Sequence, residues 1–453
     1  MADKGVTAFA TAPASLRSRL QTGIAWNLVG TVFNQGGTLI VNIIVANILG
    51  RDIFGEYAII QNTLLTMSAI AQLATGYTAT KYVAEFRSID REKTGRILGL
   101  CSAVSTAMAC IAALVLLVGA RWLAAYALKA SHLAPGLMIA AGAVLFAVMN
   151  GYQMGTLAGL ESYPALAKAG IISGILYVGI CVAATWAGGL QGTLAGLAAS
   201  ALVRWAVFNW FLRRESARQG IALCYRGIWQ ERPIFFNFAL PSALSGFTTM
   251  PALWLANAFL VRQPGGYAQM ALYSAANNLR VLVLFLPNIV NNVGMSLINY
   301  QKGIGDDYHY RKVFWANMAM TVVAILVGVA MTVLLGPWLL RLFGKDFTEG
   351  YPVLMMLMLS TLPEGLVLAS YQVIQSQGKM WLSLLAIALP RDGMIVLLAY
   401  ILTGLHGAIG LALAYAIAWG LAFCIVSTIV YCIGLRTIPE HAPNYEVKDR
   451  KVK

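Results

Sequence analysis

Charged residues are scarce in this chain of 453 residues. Only 11% of the residues are Asp, Glu, Lys or Arg, whereas 59% are hydrophobic. A soluble domain of this length could not cover so much apolar surface with so few charges, but lipid can. The shortage of charge therefore excludes a soluble protein and predicts a polytopic membrane protein.

Cysteine and recognisable catalytic motifs are also scarce. The six cysteines have no CxxC spacing, so neither a disulfide framework nor a thiolate metal site is indicated, and no metal or cofactor is predicted. The sequence contains no DxD, HExxH or GxSxG arrangement, and its longest polar connection is about twenty residues. A membrane glycosyltransferase or polymerase is therefore a less favoured alternative, and we predict that the protein is not an enzyme.

Long apolar runs are what the sequence has in abundance. Stretches of about 20 or more mostly apolar residues, each long enough to cross a bilayer as an α-helix, occur twelve times. The residues before Leu20 lack the apolar core of a cleaved signal, so the first run is predicted to be a permanent helix. The predicted spans are 22–48, 54–80, 97–119, 135–158, 164–187, 191–211, 233–260, 266–298, 313–340, 351–376, 380–403 and 407–433.

The positive charges behind the net charge of +14 are unevenly divided between the two predicted faces of the membrane. About twenty-three Lys and Arg residues fall in or next to alternate connections and the termini, against six on the other face. The positive-inside rule then places both termini in the cytoplasm of a cell inner membrane protein. Attraction to anionic membrane lipids accounts for this charge, so a nucleic-acid partner is not predicted.

The two halves of the chain resemble each other. A shift of 210 positions aligns the first span with the seventh, for example Asn27 with Asn237 and Tyr57 with Tyr267. "GLQGTLAGLAASALVRW" (189–205) similarly matches "GLHGAIGLALAYAIAW" (404–419). The predicted fold is an all-α polytopic membrane protein with 12 transmembrane helices in two six-helix lobes related by a pseudo-two-fold along the membrane normal. The predicted segments are a cytoplasmic segment 1–19, an N-lobe 20–213, a basic cytoplasmic linker 214–232, a C-lobe 233–433 and a basic tail 434–453.

A short motif connects this pattern to a known family. "NILGRDIFGEYAIIQ" (47–61) and "AQLATGYTATKYVAEFR" (71–87) resemble the Wzx-type O-antigen flippases, the polysaccharide-repeat-unit branch of the multidrug/oligosaccharidyl-lipid/polysaccharide (MOP) exporter superfamily. The resemblance implies alternating access through a cationic central cavity that moves an undecaprenyl-pyrophosphate-linked oligosaccharide from the cytoplasmic to the outer leaflet. It also implies a role in lipopolysaccharide or related polysaccharide biosynthesis, with a polymerase and a chain-length regulator as candidate partners.

Arg280 is the strongest candidate for contact with an anionic substrate. An ionised side chain at bilayer depth usually faces protein or water, because lipid does not solvate it. At about 100° per residue, Asn277, Arg280 and Asn291 share one narrow polar sector of their helix. A guanidinium presents forked donors that suit a diphosphate. The alternative is an arginine satisfied by helix carbonyls or a neighbouring acid.

A second cation lies beside an anion in the eleventh span. Arg391 and Asp392 follow Pro390, which removes a backbone hydrogen bond and is expected to kink this helix. We predict that Arg391 binds phosphate, and that Asp392 or Glu364 neutralises it when the site is empty. Either carboxylate could also take up a proton and act as an ion-coupling residue. A purely structural ion pair is the alternative.

Three further residues complete the predicted substrate site. Asn34 belongs to a polar stripe on the first span that suits a hydrated glycan path, although helix-to-helix hydrogen bonding explains such stripes as well. Lys81 could form part of a basic entrance for the headgroup. Arg204 could contact the substrate, or could snorkel to the cytoplasmic interface.

A cation-coupled drug exporter of the same superfamily is the nearest alternative. Such a protein would be expected to place an acid within its early helices to bind a cation. The first five spans carry no carboxylate at mid-membrane depth, since Glu56 and Glu161 lie at span ends. The excess of intramembrane arginine therefore favours an anionic substrate.

Overall fold

The computed structural model describes residues 16–234, 248–304, 307–376 and 380–434, and over these residues it is α-helical. The longer helices are α1 (Leu16–Leu49), α2 (Arg51–Ala71), α3 (Thr75–Phe86), α4 (Arg91–Trp122), α5 (Ala134–Gly159), α6 (Tyr163–Arg218), α7 (Thr249–Val261), α8 (Gly266–Ile304), α9 (Asp307–Arg341), α10 (Tyr351–Ser376) and α11 (Leu389–Gly434). Residues 1–15, 235–247 and 435–453 lie outside the described residues. These include most of the predicted N-terminal segment, the first half of the seventh span and the tail.

The prediction of twelve membrane crossings is confirmed. Eight helical segments are long and apolar enough to span a membrane, and two of these are 56 and 50 residues long, which is enough for two crossings each. Helices α2 and α3 together form another crossing, interrupted where Leu73 and Ala74 adopt positive φ. Helix α7, an apolar helix of 13 residues, is the described part of the seventh predicted span.

A glycine interrupts each of the two longest helices, and the two glycines have nearly the same φ and ψ angles. Gly189 interrupts α6 with φ 55° and ψ −134°, and Gly407 interrupts α11 with φ 55° and ψ −129°. Three residues later, a Cβ on Gly192 would lie 2.0 Å from the Ala184 carbonyl oxygen, and one on Gly410 would lie 2.0 Å from that of Leu402. Only glycine tolerates such a turn without strain.

These matched hairpins support the internal repeat and correct its register. The sequence comparison aligned "GLQG" at 189 with "GLHG" at 404. The backbone instead equates Gly189 with Gly407 and Gly192 with Gly410, a difference of three residues. The sequence alignment was wrong here because GLQG shares three of four residues with GLHG (404–407) and only two with GAIG (407–410), whereas the backbone angles identify Gly407 as the equivalent of Gly189.

The chain divides into two compact units. The first contains Met1–Ile48, Leu64–Ala124 and His132–Leu244, and the second contains Leu49–Thr63, Ala125–Ser131 and Ser245–Lys453. In the first unit, α3, α4, α5 and α6 share a core that includes Val83, Leu98, Tyr152 and Phe208. The predicted lobe boundaries stay a prediction, and the grouping of residues 49–63 with the second unit was not expected.

The motif at 47–61 has a packing role in this second unit. Phe54 is fully buried and lies 5.7 Å from Phe347, ring centroid to ring centroid. Next to it, a Cβ on Gly55 would lie 1.9 Å from the Tyr267 carbonyl oxygen. Arg51 donates to the Ala268 carbonyl at 3.5 Å. The glycine of the motif is therefore required by close backbone contact between α2 and α8.

We expect Gly55→Ala to destabilise the folded protein. The added methyl must displace backbone, and overpacking of this kind costs about 1–3 kcal/mol. Thermal unfolding of the purified protein followed by size-exclusion chromatography measures the loss. Gly36→Ala is the matched control, since a Cβ at Gly36 in α1 meets nothing within 4 Å. Equal melting temperatures for Gly55→Ala and the wild type would contradict this role.

Candidate functional site

Arg280 lies in a buried polar cluster of the second unit. Its guanidinium pairs with the Glu364 carboxylate of α10, and Nη1 also donates to the Tyr415 hydroxyl of α11 at 3.1 Å. Asn277, one turn earlier on α8, accepts from Arg280 Nε at 2.9 Å. Arg280 is 8% exposed and Glu364 7%. The structure thus adds Glu364 to the predicted polar sector of Asn277 and Arg280, and this carboxylate neutralises Arg280, whereas Asp392 is the acid that neutralises Arg391.

Arg391 and Asp392 bond to each other. Arg391 donates to Asp392 Oδ1 from Nε at 2.9 Å and from Nη2 at 2.7 Å. The hydroxyls of Thr248 and Thr249 donate to the other carboxylate oxygen at 2.8 and 3.0 Å. Arg391 also donates to the Thr249 hydroxyl at 2.8 Å. Both oxygens of Asp392 are therefore satisfied without a ligand.

The helix geometry around Pro390 permits this arrangement. Residues Ser383–Ala388 form a π-helical turn, in which the Leu389 N–H bonds the Leu384 carbonyl. A π turn absorbs the hydrogen bond that proline removes, and such turns are frequent at functional sites. This π turn lies just before Pro390, and the expected kink of the helix stays a prediction.

Two aromatic rings connect the two arginine pairs. The Arg280 guanidinium carbon lies 4.6 Å from the centroid of the Tyr415 ring, and that of Arg391 lies 4.5 Å from the Trp419 ring. The two rings are one turn apart on α11, with centroids separated by 6.0 Å. Cation–π contacts strengthen when desolvated, reaching about 2 kcal/mol. The two pairs therefore belong to one continuous buried cluster.

Sequence reasoning missed the aromatic and hydroxyl members of this cluster. Tyr415 and Trp419 occur at i and i+4 within an apolar helix, where they are indistinguishable from core residues. Thr248 and Thr249 lie 143 or more positions from Asp392. The sequence does contain one indication of these partners: two aromatic residues four positions apart, in a chain that has two arginines deep within its spans. Each such cation needs a polar or π partner in a low-dielectric site.

Arg204 lies in the first unit and differs from the other two arginines. Its Nη1 donates to the Asn34 side-chain oxygen at 3.3 Å, and its Nη2 contacts the Met154 sulfur at 3.7 Å. Its Nε is buried without an acceptor. Over the described residues it makes no ion pair. The predicted residues Asn34 and Arg204 are thus brought together, with hydrogen-bonding capacity of the guanidinium unused.

The structure places the remaining predicted residues apart from these clusters. Asn291 is 11 residues beyond Arg280 on α8, roughly 16 Å along the helix. Its side chain accepts from Asn317 and Thr321 at 3.0 and 3.2 Å, which is helix-to-helix hydrogen bonding. Lys81 is exposed on α3, 4.8 Å from the Tyr82 ring centroid.

The comparison with protein families identifies the chain's relatives. Residues 20–298, more than half of the chain, match the model of the polysaccharide biosynthesis protein family. The chain belongs to this family. It is 25% identical over 432 residues to the EPS I polysaccharide export inner membrane protein EpsE of Ralstonia nicotianae, covering 90% of this chain and 92% of that protein. This relative is named as an export protein and has nearly the same length as this chain.

Solved structures share the fold of this polysaccharide family member. An inward-facing multidrug resistance transporter of the MATE family in the MOP superfamily superposes with a TM-score of 0.71 at 15% identity, covering 92% of this chain and all of the other. A MOP superfamily transporter from Pyrococcus furiosus gives a TM-score of 0.66 at 16% identity, over 91% and 95% of the two chains. The chain therefore combines membership of the polysaccharide biosynthesis protein family with the fold of MOP superfamily transporters, and its long apolar helices make it a multi-pass membrane protein.

We expect the protein to lose stability when one member of the Arg280–Glu364 pair is replaced, and to lose much less when both are replaced. Arg280→Met leaves a buried carboxylate without its cation, which costs about 3–5 kcal/mol. The double variant Arg280→Met/Glu364→Leu removes both charges and should recover most of that loss. Thermal unfolding of purified protein in detergent compares the two, with the exposed Arg121→Ala as control. A double variant no more stable than Arg280→Met would contradict the expected coupling.

Proposed function

We propose that the protein is a flippase for an undecaprenyl-pyrophosphate-linked oligosaccharide, such as an O-antigen or related repeat unit, in the cell inner membrane. The substrate moves from the cytoplasmic to the outer leaflet by alternating access, with both termini cytoplasmic. The observation that carries this proposal is the excess of intramembrane cations. Three arginines but only two carboxylates lie well inside the predicted spans. Over the described residues, Arg204 is the one of these three arginines that has no acidic partner.

The charge distribution suits an anionic headgroup. A guanidinium that lacks a counter-ion at bilayer depth is costly, and an anion bound to it relieves that cost. Its unused Nε and its forked geometry match phosphate oxygens. A cationic drug would instead be repelled by Arg204. Asn34 beside it can exchange hydrogen bonds with sugar hydroxyls at little desolvation cost.

The two neutralised arginines have a switching role in this proposal. A diphosphate that reaches Arg280 or Arg391 competes with Glu364 or Asp392 for the same donors. The displaced carboxylate is then a buried charge without a partner, and taking up a proton removes that charge. Substrate binding and proton uptake are thereby coupled through the same two ion pairs, without any further ionisable group.

The proposed substrate is tested by depleting the protein in its native host. Undecaprenyl-pyrophosphate oligosaccharide should accumulate on the cytoplasmic side of the inner membrane while polysaccharide at the cell surface is lost. The measurement is extraction of lipid-linked oligosaccharides combined with a sidedness assay using an impermeant lectin. Unchanged lipid-linked pools, together with altered resistance to cationic drugs, would instead identify a drug exporter.

Arg204→Ala should stop transport without unfolding the protein, since no carboxylate loses its partner. Losing charge-assisted hydrogen bonds of about 1.5–3 kcal/mol predicts a decrease of roughly 10–100-fold in flipping rate. Surface polysaccharide in a complemented depletion strain measures transport, and membrane abundance measures folding. Arg214→Ala, a nearby exposed arginine, is the control. Full activity of Arg204→Ala would remove this residue from the substrate site.

Proton coupling predicts that transport depends on Asp392 and Glu364. Flipping by the wild type should fall when a proton ionophore collapses the gradient. Asp392→Asn and Glu364→Gln, which cannot release a proton, should give slow transport that the ionophore no longer affects. The exposed Asp346→Asn should behave as wild type. Ionophore-independent transport by the wild type would rule out proton coupling.

A further inference from the structure

The first unit contains a cavity that none of the predicted site residues lines. It has a volume of about 580 Å³ and lies between α4, α5, the end of α6 and the chain that follows α6. That volume is within the range of small-molecule sites. Its deepest α4 residue, Thr106, is nine residues from the start of the third predicted span at 97, or roughly 14 Å. The cavity therefore extends from the predicted cytoplasmic interface well into the membrane.

One wall of the cavity is a strap formed by residues 220–225. The strap crosses α4 at two glycines: a Cβ on Gly95 would lie 2.2 Å from the Ala222 oxygen, and one on Gly99 would lie 2.0 Å from the Cys224 oxygen. The Cys224 N–H donates to the Gly95 carbonyl at 3.2 Å. This fit holds the strap against α4 and gives the cavity a defined shape.

The lining of the cavity is amphipathic. Its interior is mainly apolar, and Leu98, Leu212 and Ile221 are among its buried residues. Ser102 is within hydrogen-bond distance of both the Tyr152 and Tyr225 hydroxyls, at 3.3 and 3.2 Å. These hydroxyls satisfy one another, so they shape the cavity without requiring a ligand.

Two donors on α6 remain available to a ligand. Trp205 lines the cavity, and its indole N–H is buried without an acceptor. Eight residues further, exposed Arg213 also lines the cavity and makes no ion pair over the described residues. Its neighbours are engaged: Arg214 lies 5.3 Å from the Trp210 ring, and Arg218 bonds Glu215 at 2.7 Å. The unpaired cation is therefore at the exposed edge of an apolar cavity.

These features together select an amphiphile with an anionic head. The segment 213–232 carries five arginines and two glutamates, so the local field favours an anion. A phosphate oxygen suits Arg213, an ester oxygen suits the buried indole N–H, and the apolar lining suits an acyl chain. A soluble phosphate would leave the apolar interior unfilled, and a zwitterionic head would bring a second cation towards Arg213.

We propose that this cavity binds an anionic phospholipid of the cytoplasmic leaflet, with its phosphate at Arg213 and an acyl chain alongside Trp205. The bound lipid fills the space beneath the strap and stabilises residues 220–225 against α4. It is a site for a resident membrane lipid, and none of the arginines assigned to substrate lines it.

The test uses the purified full-length protein in detergent, titrated with phosphatidylglycerol or phosphatidylcholine. Native mass spectrometry should detect phosphatidylglycerol bound to the wild type, and thermal unfolding should shift upwards with that lipid. Arg213→Ala and Ala217→Trp, which remove the cation and fill the mouth, should weaken binding by roughly tenfold or more. Arg214→Ala and Ala206→Trp, at exposed positions outside the cavity, are the matched controls and should bind as wild type.

Brominated phosphatidylglycerol gives a second measurement that does not depend on stability. It should quench a part of the tryptophan fluorescence that is absent from Trp205→Phe. Equal binding of phosphatidylcholine, or equal loss in Arg213→Ala and Arg214→Ala, would overturn the proposal. Displacement by inorganic phosphate would indicate a soluble anion instead, and preferential displacement by undecaprenyl pyrophosphate would assign the cavity to substrate. Each readout is independent of transport, so failure of the flippase proposal does not affect it.

Discussion

The free-energy cost of a charge in hydrocarbon governs the interior of this protein. Arg280 and Arg391 are accommodated inside membrane-crossing helices because Glu364 and Asp392 neutralise them and because threonine, asparagine and tyrosine groups complete their hydrogen bonds. Removing one member of such a pair is far more costly than replacing both. The Arg280–Glu364 pair joins α8 to α10, the Tyr415 hydroxyl joins α11 to Arg280, and the Thr249 hydroxyl joins α7 to the Arg391–Asp392 pair of α11.

The same principle gives the third arginine a different meaning. Arg204 has an amide and a thioether as neighbours instead of a carboxylate, so its charge is only partly compensated. Arginines that are paired with an acid mainly stabilise the fold, whereas an arginine without an acidic partner can bind an anionic ligand. Arg204 is therefore a stronger candidate for binding the substrate's anionic headgroup than Arg280 or Arg391, although its position in the sequence is less unusual.

Glycine determines where these helices can approach and turn. Gly55 permits backbone contact between α2 and α8, and Gly95 and Gly99 permit the strap to lie on α4. Gly189 and Gly407 form equivalent tight hairpins in the two halves of the chain. Small residues serve this purpose in membranes, where close packing replaces the hydrophobic effect as the force between helices. The strap contacts α4 closely at Gly95 and Gly99, and it also lines the amphipathic cavity.

The sequence by itself determined the class of protein, the twelve crossings and the family, because hydropathy, length and the motif at 47–61 are local properties of the chain. It also identified Arg280, Arg391, Asp392 and Glu364 as exceptional, since charge within apolar runs is visible without coordinates. Only the tertiary structure decided which charges meet: Glu364 is 84 positions from Arg280, and Arg204 is 170 positions from Asn34. Helical periodicity defines a face of each helix but not the helix that this face contacts, so the partners, the Tyr415–Trp419 connection and the register of the repeat required the packed fold.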